Sequence, residues 1–205
     1  MSRNERSSAP KADAKKRRTP DLRIRRTRER LGAAVIALIQ EKTIDKVSVQ
    51  EVLDRAGVGR STFYLHYRDK DDLLLSQLET FLEMVSTSLV KRRDPSRRVL
   101  PVAEFFEHIS SAHARKVYGA LGESGRLQDF YDLAHAYFAR GIEQRLKDTK
   151  LLAKLPKREL RARSSALAGS ALSLLRWWLD HDAKEPPAHM DALFHQMVWG
   201  SLRTT

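Results

Sequence analysis

Arg60, Ser61, Thr62, Tyr64, Leu65 and His66 crowd into seven consecutive positions, and Lys70 follows shortly after. The group carries a guanidinium, hydroxyls and aromatic surface, and no acid interrupts it before Asp69. Such a set suits a nucleic-acid duplex: arginine reads guanine, hydroxyls donate or accept, and an apolar side chain meets a thymine methyl. On a helical wheel Phe63 and Tyr67 point one way. Ser61, Tyr64, Leu65 and Arg68 point roughly opposite, with Arg60, Thr62 and His66 on the flanks. In a chain with 31% charged residues, a merely solvated helix would carry Asp or Glu on that outer face. Lys70 adds a second argument. Asp69 reads as the cap of the next helix, and Asp71 and Asp72 suit its positive end, whereas a lysine there is electrostatically misplaced unless an anion docks beside it.

No set of residues with enzymatic spacing competes with this one. Ser124 in Gly-Glu-Ser-Gly and Ser170 in Ala-Gly-Ser-Ala lack the strand-turn-helix setting of a nucleophile elbow. His108, His113, His135, His181, His189 and His195 lack metal-ligand spacing, and the chain has no cysteine, so a structural zinc site is not expected. No glycine-rich phosphate loop occurs. The chain is read as a non-enzyme with no metal and no cofactor.

Two short helices must position the acid-free face. Ser48 followed by Glu51 forms a capping box that starts the first. Val49, Val52, Leu53 and Ala56 recur on one face, and Gly57 with Val58 behind it supplies a left-handed stop. The second is expected from Gly59 or Arg60 to Tyr67. Two helices of about eight residues joined by a turn containing Gly match the helix-turn-helix. The run Val47-Ser48-Val49, then Ala56 to Tyr67, then Lys70-Asp71-Asp72-Leu73 resembles the DNA-binding domain of the TetR/AcrR family of bacterial transcription regulators, over Arg25 to about Leu74. The resemblance implies that Ser48, Arg60, Ser61, Thr62, Tyr64, His66 and Lys70 contact DNA, Tyr64, His66 and Lys70 mainly through phosphates. Gly59 departs from the usual Ser or Thr, removing one hydroxyl contact, and Leu53 from the usual Ala.

The 205 residues carry a formal charge of +12, and residues 1–30 hold twelve Lys or Arg against four acids, so +8 of that charge is N-terminal. Residues 1–20 are expected to form a disordered basic arm fit to lie along phosphates or enter a minor groove. A first long helix is expected from Asp21, with Leu31, Ala34, Val35, Leu38 and Ile39 inward and Arg23, Arg25, Arg26, Arg28 and Arg30 in its early turns. Arg25 is counted among the DNA-binding residues. Residues 21–70 then make a three-helix DNA-binding domain. No apolar run reaches the roughly 18 residues of a membrane span, no signal peptide is visible, and a cytoplasmic protein is expected.

Residues 71–205 read as a larger helical domain, giving an all-α fold without strands. Helices are expected over 71–92, 102–111, 115–121, 126–148, from 156 to about 182, and 188–202, with a charged connector at 91–98. The last two exceed the apolar stripe of about 100° that one core requires. Small residues such as Ala166, Gly169 and Ser170, with Leu174, Leu193 and Met197, suit pairing with a second copy across a two-fold axis. The resemblance points the same way. A small-molecule pocket is expected among Phe105, Phe106, His108, Ile109, His113, Tyr118, Phe130, Tyr131, His135, Tyr137, Phe138, Arg176 and Trp177, aromatic surface with polar tips; Phe106, His113, Tyr118, Tyr131, His135 and Trp177 are the chosen lining. The reading is a homodimeric, sequence-specific transcriptional regulator, a repressor released from a pseudo-palindromic operator by a small effector. A DNA-bound protein that recruits or blocks a protein partner without any ligand is the alternative.

Overall fold

The computed structural model describes residues 12–91, 97–148 and 155–202, and among these all regular structure is helical. Its first helix, α1 (Ala12–Glu41), begins nine residues before the expected Asp21. Ala12, Ala14, Lys15, Lys16, Arg17 and Arg18 are strong helix formers, and Pro20 forfeits one intrahelical bond without ending the helix. Residues 1–11 of the expected arm, most of the charged connector (92–96) and the segment 149–154 lie outside the described residues.

A single 3-10 turn at Ile44–Lys46 leads to α2 (Val49–Ala56). Ser48 Oγ accepts from Glu51 N–H at 3.2 Å and the Glu51 carboxylate accepts from Ser48 N–H at 2.9 Å, so the capping box closes in both directions. Gly57 ends the helix in the left-handed region, φ +59°, which a side chain disfavours, and Val58 N–H returns to Leu53 O at 3.1 Å. A methyl on Gly57 would also meet Arg30 Nη2 at 2.6 Å, the guanidinium that donates to Gly57 O at 3.0 Å. Next come α3 (Arg60–Tyr64) and α4 (Lys70–Lys91). The regular part of α3 stops three residues before the expected Tyr67. Tyr67 N–H still reaches Phe63 O at 3.0 Å, so one more turn follows the helical path.

Around these elements Leu31, Val35, Leu38, Ile44, Val52, Leu53, Phe63, Tyr67, Leu73 and Leu74 close into one buried cluster. The α4 helix belongs to both halves of the molecule. Leu73 and Leu74 pack under the helix-turn-helix, while Leu82, Val85 and Leu89 enter the second bundle. By length and composition α4 could cross a membrane; here those five apolar side chains are buried within the protein.

The second bundle comprises α5 (Val102–Ser110), α6 (Ala112–Glu123), α7 (Leu127–Asp148), α8 (Lys157–Asp180) and α9 (Pro187–Leu202). The expected start of α6 at Arg115 moves to Ala112 because Ser111 caps it, accepting from Ala114 N–H at 3.2 Å. Phe105 meets Phe138 edge-on at 5.0 Å and Phe106 lies against Trp178 at 4.9 Å, tying α5 to α7 and α8. Arg98 joins Glu104 to Asp191, and Val99 N–H donates to His195 Nε2 at 3.0 Å, fixing α5 against α9. Where α4 and α7 meet, Gly141 faces the Ser86 carbonyl with no room for a side chain.

Candidate nucleic-acid interface

Two buried aromatics hold α3 in place. Phe63 is fully buried and Tyr67 nearly so, their rings 5.8 Å apart, which turns the other side of the helix to solvent. Tyr64 is 51% exposed and Leu65 80% exposed, and Arg60 and Ser61 are exposed beside them. Thr62 and His66 are half-buried at the edges. An 80% exposed leucine has almost no packing role, so folding of the single chain does not account for its presence. The α3 segment contains no acid in its first turn or its remaining length.

Elements on either side keep this face in register. Arg55 pairs with Glu41 through both guanidinium nitrogens, at 2.5 and 3.0 Å, locking α2 to the end of α1. Lys42 and Ser48 both bond to Glu51, and these contacts hold its carboxyl down to about 2, well below the usual carboxylate range. Ser48 is exposed at the α2 N-terminus, with its hydroxyl engaged in the cap. Early in α1, Arg23, Arg26 and Arg28 are exposed and make no ion pair among the described residues, whereas Arg25 pairs with Glu29 at 3.2 Å. Arg25, Arg28 and His66 line one cleft between α1 and the α3–α4 corner, together with Glu29, Asp72 and Glu79.

Lys70 is placed differently from a free phosphate ligand. Its ammonium donates to Ile44 O at 2.6 Å and Val47 O at 2.9 Å, which accounts for a cation at that helix terminus without any anion. Asp69 caps α4 as expected, accepting from Asp72 N–H at 2.7 Å. Sequence spacing misses the lysine's role because both acceptors are backbone atoms more than twenty residues upstream. Replacing Lys70 with Met is expected to destabilise the fold by about 2 kcal/mol, the worth of the charge-assisted hydrogen bonds lost, although Ile44 O keeps its bond from Val47 N–H at 3.0 Å. Chemical denaturation measures it; an unchanged midpoint would return Lys70 to the role of a free surface cation.

The expected pocket residues separate into three places. His113 and Tyr118 of α6 line an apolar cavity of about 210 Å³, with Ile36 of α1, Gln77, Leu78 and Phe81 of α4, His108 and Ile109 of α5, and Phe130 of α7. Tyr131 and His135 lie instead along an outer groove beside Arg176, with the Tyr131 hydroxyl 2.8 Å from that of Tyr118 and His135 Nε2 3.0 Å from Ser165 O. Burial and the Tyr118 hydroxyl push the Tyr131 hydroxyl's pKa up. Phe106 is core, packed on Trp178, and Trp177 is 44% exposed, stacked on His181. The sequence reading missed Gln77. Its signal was Gly32: a methyl there would sit 2.0 Å from Gln77 Oε1, so the glutamine rests directly on α1.

The residues expected to pair two copies share an outward face. Ala166 and Ser170 are exposed, Gly169, Leu174 and Leu193 half-buried, and Met197 46% exposed. A methyl added at Gly169 or Gly200 meets nothing within 4 Å in the single chain.

Comparison with known proteins adds three findings. Residues 32–76 match the profile of the bacterial regulatory proteins, tetR family. An uncharacterized HTH-type transcriptional regulator of Bacillus subtilis (strain 168), YxbF, is 23% identical over 178 residues, 81% of this chain and 42% of its own, so this chain spans about two fifths of that relative's length. Two solved structures share the fold. The dihydroxyacetone kinase operon activator DhaS gives a TM-score of 0.62 at 11% identity, covering 87% of this chain and 97% of that one. The TetR family repressor AlkX from Dietzia sp. Strain DQ12-45-1b gives 0.58 at 16% identity, covering 87% and 96%.

Proposed function

This chain belongs to the TetR family of bacterial DNA-binding transcription regulators, which are not enzymes, and from that premise we propose that it acts as a homodimeric repressor in the bacterial cytoplasm. It binds a pseudo-palindromic operator through two copies of α3 and releases it when a small effector fills the second bundle. The observation that carries the reading is the α3 face itself: Tyr64 and Leu65 stand in water with Arg60 and Ser61, no acid among them. Phosphates meet Tyr64, His66 and the arginines of α1. Bases meet Arg60, Ser61 and Leu65. Residues up to about 70 form the DNA-reading part, and α4 onward the sensing and pairing part.

Pairing is supported by the outward face of α8 and α9, whose small residues the single chain does not need for packing. A two-fold axis along that face sets two α3 helices at a fixed spacing, which half-sites one helical turn or a multiple of it apart would match. Effector release is then a population shift toward a spacing that no longer fits. The cavity favours this sensor reading over a ligand-independent one. Exchanging Ala166 and Ser170 together for Arg is expected to yield a folded monomer in sedimentation, with operator affinity at least tenfold weaker. A double variant that remains a dimer would move the interface elsewhere.

A further inference from the structure

The cavity between α1, α4, α5 and α6 has a chemistry that narrows its occupant, and this inference rests on the sensor reading above. Its wall is almost wholly apolar. At about 210 Å³ it exceeds the roughly 150 Å³ that accommodates benzene and falls short of the roughly 300 Å³ of pockets for drug-sized ligands. One ring with a short side chain, or a chain of comparable bulk, fits. The two exposed imidazoles of His108 and His113 belong to the lining, so they stand where the cavity opens. His108 lies flat on Phe81 at 4.1 Å, and neither ring has a side-chain hydrogen-bond partner among the described residues. No Asp, Glu, Lys or Arg lines the cavity; its titratable members are His108, His113 and Tyr118. Two imidazoles without a carboxylate between them repel each other when charged. Partial burial and the neighbouring His113 hold His108 below the usual histidine range. His113 also sits in the first turn of α6, a turn with no acid, at the positive end of that helix. Apolar depth, a paired-imidazole mouth and a positive helix end are complementary to one ligand type.

We propose that this cavity binds a small monocarboxylic acid, a single ring or short chain held in the apolar interior with its carboxylate between His108 and His113. The acid's body then touches Ile36 and Gln77, and Gln77 rests on Gly32 of α1, so occupancy bears on the helix that carries the DNA-binding half.

Calorimetric titration of the full chain with phenylacetate, 3-phenylpropanoate and octanoate, each beside its neutral amide, tests the assignment. At least one acid is expected to bind about tenfold or more tightly than its amide, since the difference is a charge-assisted hydrogen bond. The preference strengthens from pH 8 to pH 6 as the His108 imidazole takes up a proton. In a double variant, His108→Gln with His113→Gln, the preference is lost while amide affinity holds, and that retained affinity reports an intact cavity. Equal binding of acids and amides overturns the anion assignment and leaves the sensor reading standing. No saturable binding by any probe overturns the inference. An acid that binds as stated without weakening DNA binding upholds the site and contradicts effector release.

Discussion

Arg60→Ala combined with Tyr64→Ala is expected to lower affinity for the operator about a hundredfold or more, because each lost contact to base or phosphate is worth about 1–3 kcal/mol. The expectation follows from exposure. Arg60 makes no hydrogen bond or ion pair among the described residues, and Tyr64, half exposed, meets the buried Phe63 ring edge-to-face at 5.2 Å. That contact is worth about 0.5–1.5 kcal/mol, so the thermal midpoint falls by only a few degrees. Anisotropy titration with labelled duplex at fixed salt separates the two effects. In the same assay Leu65→Ser is expected to weaken operator binding and leave random duplex unaffected, whereas Tyr64→Ala alone weakens both. Equal losses on both duplexes for both substitutions would contradict this division of roles.

Gly141→Ala is the second large effect, and it acts on the fold. A methyl at this position would lie 2.2 Å from the Ser86 carbonyl oxygen and 2.9 Å from its carbon. Both are backbone atoms inside α4, so relief requires the two helices to separate. Overpacking of this kind costs about 3 kcal/mol or more, which in a chain of this size lowers the thermal midpoint by about 6–12 °C. The same methyl at Gly169 or Gly200, where nothing lies within 4 Å in the single chain, has no such cost. Calorimetry on the three variants checks the ordering. A Gly141→Ala protein as stable as the parent would mean that α4 and α7 do not approach as closely as described.

The two glycine classes show what a sequence discloses. An isolated glycine inside a helical pattern signals a packing reason, and Gly141 and Gly169 carry the same signal, yet one serves an internal contact and the other an outward face. Periodicity places a residue on a face of its helix and leaves the partner of that face open. Ser48, Glu51, Gly57 and the Phe63–Tyr67 pair were legible because their roles are local, closed within a few residues by caps and i,i+4 spacing. Lys70 was not, because its acceptors belong to Ile44 and Val47. The cavity was half legible. His113 and Tyr118 lie on it, while Phe106 turned to Trp178 and Tyr131 and His135 turned to an outer groove, a choice made by the angles between α5, α7 and α8. The start of α1 lies at Ala12 and not at the expected Asp21, because the helix formers before Pro20 outweigh one missing bond.

Selection of bound sequences from a random duplex pool, with the mass of the recovered complex measured intact, addresses the account most directly. Enrichment of an imperfect palindrome whose half-sites lie one helical turn or a multiple of it apart, carrying paired copies of the chain, is the result expected. An unenriched pool, with the protein recovered as single chains free of duplex at low salt, would contradict it.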